Sequence, residues 1–464
     1  MLIRGAEVEG RLVDVRVDEE RVDELGEGLD PQGDEVVEAR GGALIPGLVD
    51  HHIHLLAVAA ALASVDCGPP EVRDAPALRD ALRRADADAH GWVRGVGYIE
   101  SVAGELDAAA LDRLDDRRPV RVQHRSGALW MLNSRAAELV GLQSADHPGV
   151  ERDHTGRATG RVWRADDWLG ERLPRGDAPD LDSVGRRLSG YGITTATDAT
   201  PRLAAGARDA LLAAVEDGTL AQDVVALGWP LDPAAPPSQG GRLRPGPWKI
   251  VLADSGLPDF DELCAEISAA HRLGRPVAVH CVTREALALL LAALDTCGVL
   301  PGDRLEHAAL VPPDVIPGLR SRGLTVVTQP GFLAHRGDDY TRDVPGRDLP
   351  DLYRCASLQA AHVPVGLSSD APYGPLDPWA VMSAAVTRRT PAGVVLGPAE
   401  RMTPAAALSS YLSPSDDPGG RPRRVVRGAA ADLVLLHAPL EQALLELEAD
   451  LVRLTFVRGR LVET

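Results

Sequence analysis

The chain has 464 residues, of which 45% are apolar and 25% charged, so it can bury one large core and a second, smaller one. Its formal net charge of -19 argues against a nucleic-acid or anionic-membrane partner, because binding to those surfaces needs clustered positive charge. The N-terminus lacks the apolar stretch of a signal peptide, and the apolar run from Leu55 to Ala63 is too short to span a bilayer. Five cysteines without a CxxC pair predict no disulfide framework and favour a cytoplasmic protein.

Both ends of the chain have the pattern of short β-strands. Residues 1–48 alternate β-branched and charged residues, broken by glycine and by the turn-like LDPQGD. The segment 424–464 has the same character, with the strand-like stretches ADLVLLHAP and LVRLTFVRGRLVET. Because chain termini often lie close together, we expect these two segments to form one small β-sandwich domain.

The middle of the chain, residues 49–423, alternates short apolar runs with longer helical stretches. WKIVLAD is followed by FDELCAEISAAHRLG, and PVAVHCV is followed by REALALLLAALDTCG. Repeated β-then-α units predict a parallel sheet with crossover helices, and their number favours an α/β fold of the (β/α)8 TIM-like barrel type. Residues 67–185 do not follow this alternation, and we interpret them as an insertion or lid.

The segment PGLVDHHIHL, residues 46–55, is the strongest local signal in the chain. Side chains alternate along a strand, so the rings of His52 and His54 face the same side and His51 faces the other. Two imidazoles at the C-terminal end of a barrel strand are suited to holding a metal ion. The alternative is that the three histidines belong to an ordinary polar loop, since an HxH pattern alone is a weak indication.

Four further metal-compatible side chains belong to separate predicted strands: Lys249 lies early in one, and His280, His307 and Asp370 lie at the ends of three others. Polar residues at the C-terminal ends of barrel strands converge on one face, so we expect these four to join His52 and His54. Lys249 is the only lysine of the chain. A lysine amine can become a neutral nucleophile and react with carbon dioxide, whereas an arginine stays protonated.

The motifs PGLVDHHIH, GITTATDAT, WKIVLAD, LEHAALVPPD and GLSSDAP occur in this order over nearly the whole chain. In sequence and spacing they resemble the amidohydrolase superfamily, and within it the amidohydrolase-3 group that includes enzymes similar to N-substituted formamide deformylase. The resemblance implies two divalent metal ions, expected to be zinc, with other divalent metals as alternatives. His52 and His54 would bind the more buried ion, and His280 and His307 the more exposed one.

The same resemblance implies roles for the two remaining site residues. Lys249 would carry a carbamate formed with carbon dioxide and would bridge the two ions. Asp370 would bind the first ion and act as the general base. Two neighbouring divalent ions can share a hydroxide whose pKa is lowered towards neutrality, which agrees with this assignment.

Three positions depart from the family pattern and fall on loops expected to face the substrate. CVTREA begins after His280 where relatives carry Gly-Asp, Arg164 stands where relatives carry Glu, and His124 is the candidate for a histidine missing from GALWMLN, residues 127–133. Further candidates for the pocket wall are Trp130, Trp163, Trp248, Arg125 and Gln329. Because these loops differ, the substrate cannot be transferred from relatives.

We therefore expect a hydrolase that cleaves a non-peptide C–N bond of a small molecule, in an amide, an N-substituted formamide or a cyclic amide. No nucleic-acid or membrane partner is expected, and a homodimer is the candidate assembly. Three alternatives stay open: an ester hydrolase on the same metal site, a one-metal variant with unmodified Lys249, and a non-catalytic scaffold of the same fold. The filled set of six ligand positions argues against the scaffold.

Overall fold

The chain divides into two compact units in the computed structural model, which describes residues 1–174, 179–232, 240–253 and 256–463. One unit consists of Met1–Leu55 with Leu181–Thr464, and the other is Leu56–Asp180. The first unit therefore takes in both ends of the chain, whereas the second is one continuous segment. The domain boundaries derived from the sequence stay a prediction.

Two four-stranded sheets of the first unit are built from the terminal segments. In spatial order, one contains Arg21–Gly26, Arg11–Asp18, Leu2–Val8 and Val36–Glu38, and the other contains Arg460–Leu461, Val452–Val457, Leu433–Leu436 and Leu44–Pro46. The alternate residues Val13, Val15 and Val17 are buried in one cluster with Leu433 and Phe456. The two ends of the chain therefore share a core, while their predicted packing as a β-sandwich stays a prediction.

Nine short strands at the centre of the first unit carry the predicted site residues, and we number them in chain order. They are β1 Leu48–Ile53, β2 Ile193–Asp198, β3 Asp223–Ala226, β4 Leu243–Pro245, β5 Trp248–Val251, β6 Val277–Cys281, β7 Arg304–His307, β8 Thr325–Thr328 and β9 Val365–Leu367. They form two parallel sheets with the orders β4-β3-β2-β1 and β5-β6-β7-β8-β9. Parallel strands joined through helices confirm the predicted α/β class.

Backbone hydrogen bonds connect these two sheets at two places. On one side the amide of Lys249 in β5 donates to Leu227 O just after β3, at 3.1 Å. On the other side Asp370 N donates to His52 O at 2.8 Å, and His54 N donates to Ala371 O at 2.9 Å. The strand ladders among the described residues remain two open sheets, so a closed (β/α)8 barrel stays a prediction.

The helices of the first unit bury one apolar face each, as the helix Arg284–Cys297 illustrates. Its N-cap Thr283 accepts a hydrogen bond from Ala286 N, and Leu287, Leu290 and Leu294 are buried at helical spacing. The other helices of this unit are Leu181–Gly190, Ala205–Glu216, Phe260–Arg272, Ile316–Ser321, Gly331–Asp343, Ala356–Ala360, Pro378–Thr387, Pro404–Leu412 and Leu440–Glu446. The helix Leu55–Leu62 begins directly after β1, and all of it except Leu55 belongs to the second unit.

The second unit has its own six-stranded sheet with a buried cluster on each face. The strand order is Val150–Arg152, Ala158–Trp163, Leu129–Leu132, Val120–His124, Val93–Tyr98 and Val65–Asp66. Its helices are Ala75–Arg84, Glu100–Ala103, Ala108–Leu114, Ser134–Leu139 and Asp166–Gly170. Val93 and Val122 belong to one cluster, and Trp92, Trp130 and Val162 belong to the other. Because the pairing mixes parallel and antiparallel strands, a simple β-then-α pattern does not describe this stretch of sequence.

Candidate metal centre

His52, His54 and Asp370 form a cluster that could hold a metal ion. The two histidines lie two residues apart at the end of β1, so their rings point to the same side, as the alternation predicts. His52 Nε2 lies 3.5 Å and His54 Nε2 3.3 Å from Asp370 Oδ1. One ligand atom from each of the three residues lies within 4.8 Å of the others.

Asp370 carries a buried oxygen that suits a cation. Its Oδ1 has no hydrogen-bond partner among the described residues, although it faces two imidazole nitrogens. Asp370 also has a φ of +52°, which turns its side chain towards β1 just after β9 ends. Because a buried acceptor without a partner is costly, the local chemistry fits a divalent metal ion bound by two imidazoles and a carboxylate.

Lys249 lies beside this cluster in β5 and is 3% exposed. Its Nζ is 3.4 Å from His52 Nε2. Burial lowers the pKa of the Lys249 amine, and the carboxylates of Glu306 and Asp370 act in the opposite direction. A lysine with a lowered pKa is more readily available as the neutral amine that carbamate formation requires.

His280 and His307 lie next to each other at the ends of β6 and β7. Their ring centroids are 4.4 Å apart, and the ring of His307 is 4.9 Å from that of His52. His307 has a φ of +68°, so the chain turns at this residue and the usual alternation along the strand is interrupted. Burial holds the pKa of His307 well below its usual value, and the nearby His280, His52 and Lys249 add to this, which favours a neutral imidazole suited to binding a metal.

Hydrogen bonds orient three of these rings. His52 Nδ1 contacts Glu306, His54 Nδ1 lies 3.4 Å from Thr200 Oγ1, and His307 Nδ1 lies 2.8 Å from Gln329 Oε1. Each contact uses the Nδ1 atom, so the Nε2 atom of each ring is left for the centre. Gln329 was predicted as a pocket residue, and the structure brings it into contact with a site histidine.

Sequence reasoning missed Glu306, Arg304 and Thr200. A signal for the first two was present in RLEH, residues 304–307, where two charged residues alternate within a strand that ends in a predicted ligand. Charged side chains at alternate positions of a buried strand share one face, and here Glu306 on that face contacts His52. Nothing in the sequence marked Thr200 as a partner of a site histidine, because threonine is common after a strand.

Several residues near the centre in sequence have other contacts in the first unit. His51 lies on the opposite side of β1 from His52, with Nε2 3.1 Å from Ser410 O, and burial lowers its pKa to about 3. Asp198 accepts hydrogen bonds from the backbone of Leu55 and Thr200, so it anchors chain segments next to β1. Trp248 Nε1 donates to Glu266, and Cys281 is buried in the core.

The remaining predicted pocket residues belong to the second unit. Trp130 Nε1 donates to Asp166, and Trp163 Nε1 donates to Glu151. His124 contacts Ser126 and Glu100 within the same unit. Arg125 follows directly on the strand Val120–His124. A part in binding substrate stays a prediction for these four.

Comparison with known protein families decides the affiliation of the chain. Residues 35–463 match the model described as "Amidohydrolase family". The chain belongs to this amidohydrolase family. This membership confirms the superfamily and the hydrolase class predicted from the motifs, and it agrees with the cluster of His52, His54 and Asp370.

Individual amidohydrolase relatives cover most of the chain. An N-substituted formamide deformylase of Arthrobacter pascens is 26% identical over 92% of this chain and 89% of its own. A solved structure of an uncharacterized metal-dependent hydrolase from Pyrococcus horikoshii has a TM-score of 0.74 at 22% identity, covering 94% of this chain and 95% of that one.

A more distant solved structure is the atrazine chlorohydrolase TrzN from Arthrobacter aurescens complexed with zinc. Its TM-score is 0.57 at 15% identity, covering 99% of this chain and 94% of that one. At these identities the two structural similarities establish a shared mixed α/β fold. None of the described helices of this amidohydrolase is both long and apolar enough to cross a lipid bilayer.

Proposed function

We propose that this amidohydrolase uses a metal centre to cleave a non-peptide C–N bond of a small molecule, in an amide, an N-substituted formamide or a cyclic amide. The observation that carries the proposal is the buried, unpartnered Oδ1 of Asp370, which faces the Nε2 atoms of His52 and His54. Support for the C–N bond comes from the relative named N-substituted formamide deformylase, which aligns with 92% of the chain.

The proposed ligand set has two parts. His52, His54 and Asp370 would hold one divalent ion, and His280 with His307 would hold the second. Imidazole and carboxylate ligands suit zinc. When bound, such ions supply Lewis acidity, which polarises a carbonyl and lowers the pKa of water.

Lys249 would connect the two ion sites as a carbamate. Its neutral amine adds to the carbon of carbon dioxide and releases one proton, which leaves a negatively charged group with two ligand oxygens. Burial supports this step because it lowers the pKa of the amine. The position of Nζ, 3.4 Å from His52 Nε2, puts the group beside the first ion site.

The remaining chemistry belongs to the side chains. Asp370 Oδ2 lies 3.8 Å from His307 Nδ1, and the carboxylate is the group best suited to accept a proton from the attacking water. It would then pass that proton to the leaving nitrogen. The proposed general base therefore lies beside His52 and His54 and near His307.

A one-metal variant is the second candidate. The described residues give a compact ligand cluster for His52, His54 and Asp370, and neither His280 nor His307 belongs to it. In that variant Lys249 would stay an unmodified amine. Metal analysis separates the two, since the two-ion proposal requires two equivalents of metal per chain.

The architecture proposed with this function is a (β/α)8 barrel flanked by a β-sandwich. The backbone hydrogen bonds of Lys249 N and Asp370 N connect the two central sheets, which supports a barrel made from them. The core cluster common to both terminal sheets supports the sandwich. The five free cysteines agree with a reducing compartment such as the cytoplasm.

A substrate panel with metal analysis tests the proposed function. Purified protein reconstituted with zinc should hydrolyse members of a set of N-substituted formamides and cyclic amides, and their matched esters more slowly. Chelation should abolish turnover, and Asp370→Asn should lower it by more than about 100-fold, as for removal of a group that acts directly on the reaction. Ester hydrolysis alone would contradict the C–N assignment, and full turnover after chelation would contradict the metal requirement.

A further inference from the structure

Strand β7 buries an arginine and a glutamate inside the first unit. Arg304 is 2% exposed and Glu306 0% exposed, and Arg304 Nε donates to Glu306 Oε1 at 2.6 Å. The two residues are separated by one position, so their side chains share a face of the strand. The interior of a parallel α/β core is normally filled by branched apolar side chains, so this charged pair is an exception that calls for a physical reason.

The pair contacts strand β1 at the start of the HxH motif. The second carboxylate oxygen of Glu306 is in hydrogen-bond contact with His52 Nδ1. Arg304 donates through a terminal nitrogen to His51 O, at 3.2 Å. Arg304 and Glu306 therefore connect a strand of one central sheet to a strand of the other.

We propose that Glu306, held by Arg304, is the positioning residue that makes His52 a metal ligand through Nε2. The inference rests on the proposed function, because it takes His52 as a ligand. A glutamate paired with arginine can only accept a hydrogen bond, so the proton of the His52 ring resides on Nδ1. The lone pair of Nε2 then faces Lys249 Nζ at 3.4 Å and Asp370 Oδ1 at 3.5 Å.

Fold stability alone does not explain a pair of this kind. Removing two charges from water costs several kcal/mol each, and apolar residues of similar volume often stabilise a core better. What an apolar replacement cannot provide is a fixed acceptor for His52 Nδ1. Such an acceptor determines the tautomer and the ring orientation of a metal-binding histidine.

The first unit contains a matched control pair, Arg354 and Glu400. These residues are also buried and hydrogen-bonded to each other. Glu400 accepts further bonds from Cys355 N at 3.1 Å and Ser357 N at 3.0 Å. Glu400 thus bonds to an arginine and to backbone amides, and a substitution here reports on the loss of a buried ion pair without a histidine contact.

Metal affinity separates positioning from simple stabilisation. Glu306→Gln and Glu400→Gln are each compared with the intact protein by chelator competition for zinc and by the visible spectrum of the cobalt-loaded form. Glu306→Gln should weaken zinc binding by about 10–100-fold, the usual cost of losing such a partner, and should change the cobalt spectrum. Glu400→Gln should lower the melting temperature while zinc affinity and spectrum stay as in the intact protein.

Zinc affinity and a cobalt spectrum unchanged in Glu306→Gln would overturn the inference, and so would an equal loss of affinity in Glu400→Gln. If Glu306→Gln does not fold, the double variant Arg304→Met with Glu306→Gln removes the unpaired buried charge and should show the same weakened binding. A His52→Ala variant separates this inference from the proposed function. If His52→Ala contains as much zinc as the intact protein, the metal centre itself is refuted. If His52→Ala loses zinc but Glu306→Gln binds zinc with normal affinity, only the positioning role is refuted.

Discussion

At the scale of single residues, Lys249 is the sharpest test of the two-ion proposal. It is the only lysine of the chain, it is buried, and its Nζ approaches the Nε2 of a proposed ligand. Arginine keeps the positive charge but cannot form a carbamate, because it stays protonated. We expect Lys249→Arg to fold but to lose the second metal equivalent. Its activity should fall by more than about 100-fold, which exceeds the usual effect of losing a residue that only hydrogen-bonds to a metal ligand.

Circular dichroism, metal analysis and turnover check this expectation. Because a larger guanidinium in a buried site can disturb folding, Lys249→Gln serves as a smaller, uncharged companion that should show the same losses. Labelled bicarbonate offered to the intact protein should give a carbamate carbon signal by NMR that neither variant shows. Normal turnover with two metal equivalents in Lys249→Arg would refute the carbamate.

The residue types of the site could be predicted from the sequence better than their surroundings. The HxH spacing predicts that His52 and His54 face one side, and the structure brings both to Asp370. The positive φ values of His307 and Asp370 depend on long-range packing, so no local pattern indicates them. The contact between Glu306 and His52 joins residues 254 positions apart, which a single sequence cannot reveal.

At the scale of elements, Thr283 gives the loop after β6 a structural role. This loop begins with CVTREA, and Thr283 within it caps the helix Arg284–Cys297 by accepting from Ala286 N. The cap fixes where the helix starts, and so the path of the chain leaving His280. The altered loop is therefore compatible with an ordered end of β6.

Replacing this cap should cost stability. We expect Thr283→Ala to lower the free energy of unfolding by about 1 kcal/mol, since an unsatisfied amide is left at the first turn, and Thr283→Ser to restore most of it. Urea unfolding followed by circular dichroism measures the difference. Equal stability of the alanine and serine variants would argue against the capping bond.

At the scale of the whole molecule, the α/β class could be predicted because parallel units repeat along residues 186–423. The segment 67–185 resisted the same reasoning, since its sheet mixes parallel and antiparallel pairs and its strands follow one another without regular crossover helices. Pairing direction depends on contacts between distant strands, which periodicity does not encode. We expected both chain ends to belong together only because chain termini often lie close to each other. The physical reason seen in the structure is the buried cluster that contains residues from both ends.

That cluster predicts cooperation between the two ends of the chain. Phe456, in the C-terminal sheet, is 0% exposed and packs in one cluster with Ile3 and Val15 of the N-terminal sheet. Phe456→Ala should destabilise the protein by about 3–5 kcal/mol and speed amide hydrogen exchange in Leu2–Val8, although that strand lies more than 400 positions away. Leu461→Ala is the matched control, since Leu461 is in the same sheet but 53% exposed, and it should leave exchange in Leu2–Val8 unchanged. If exchange in Phe456→Ala rises only within the C-terminal sheet, the two ends fold independently and the shared core does not couple them.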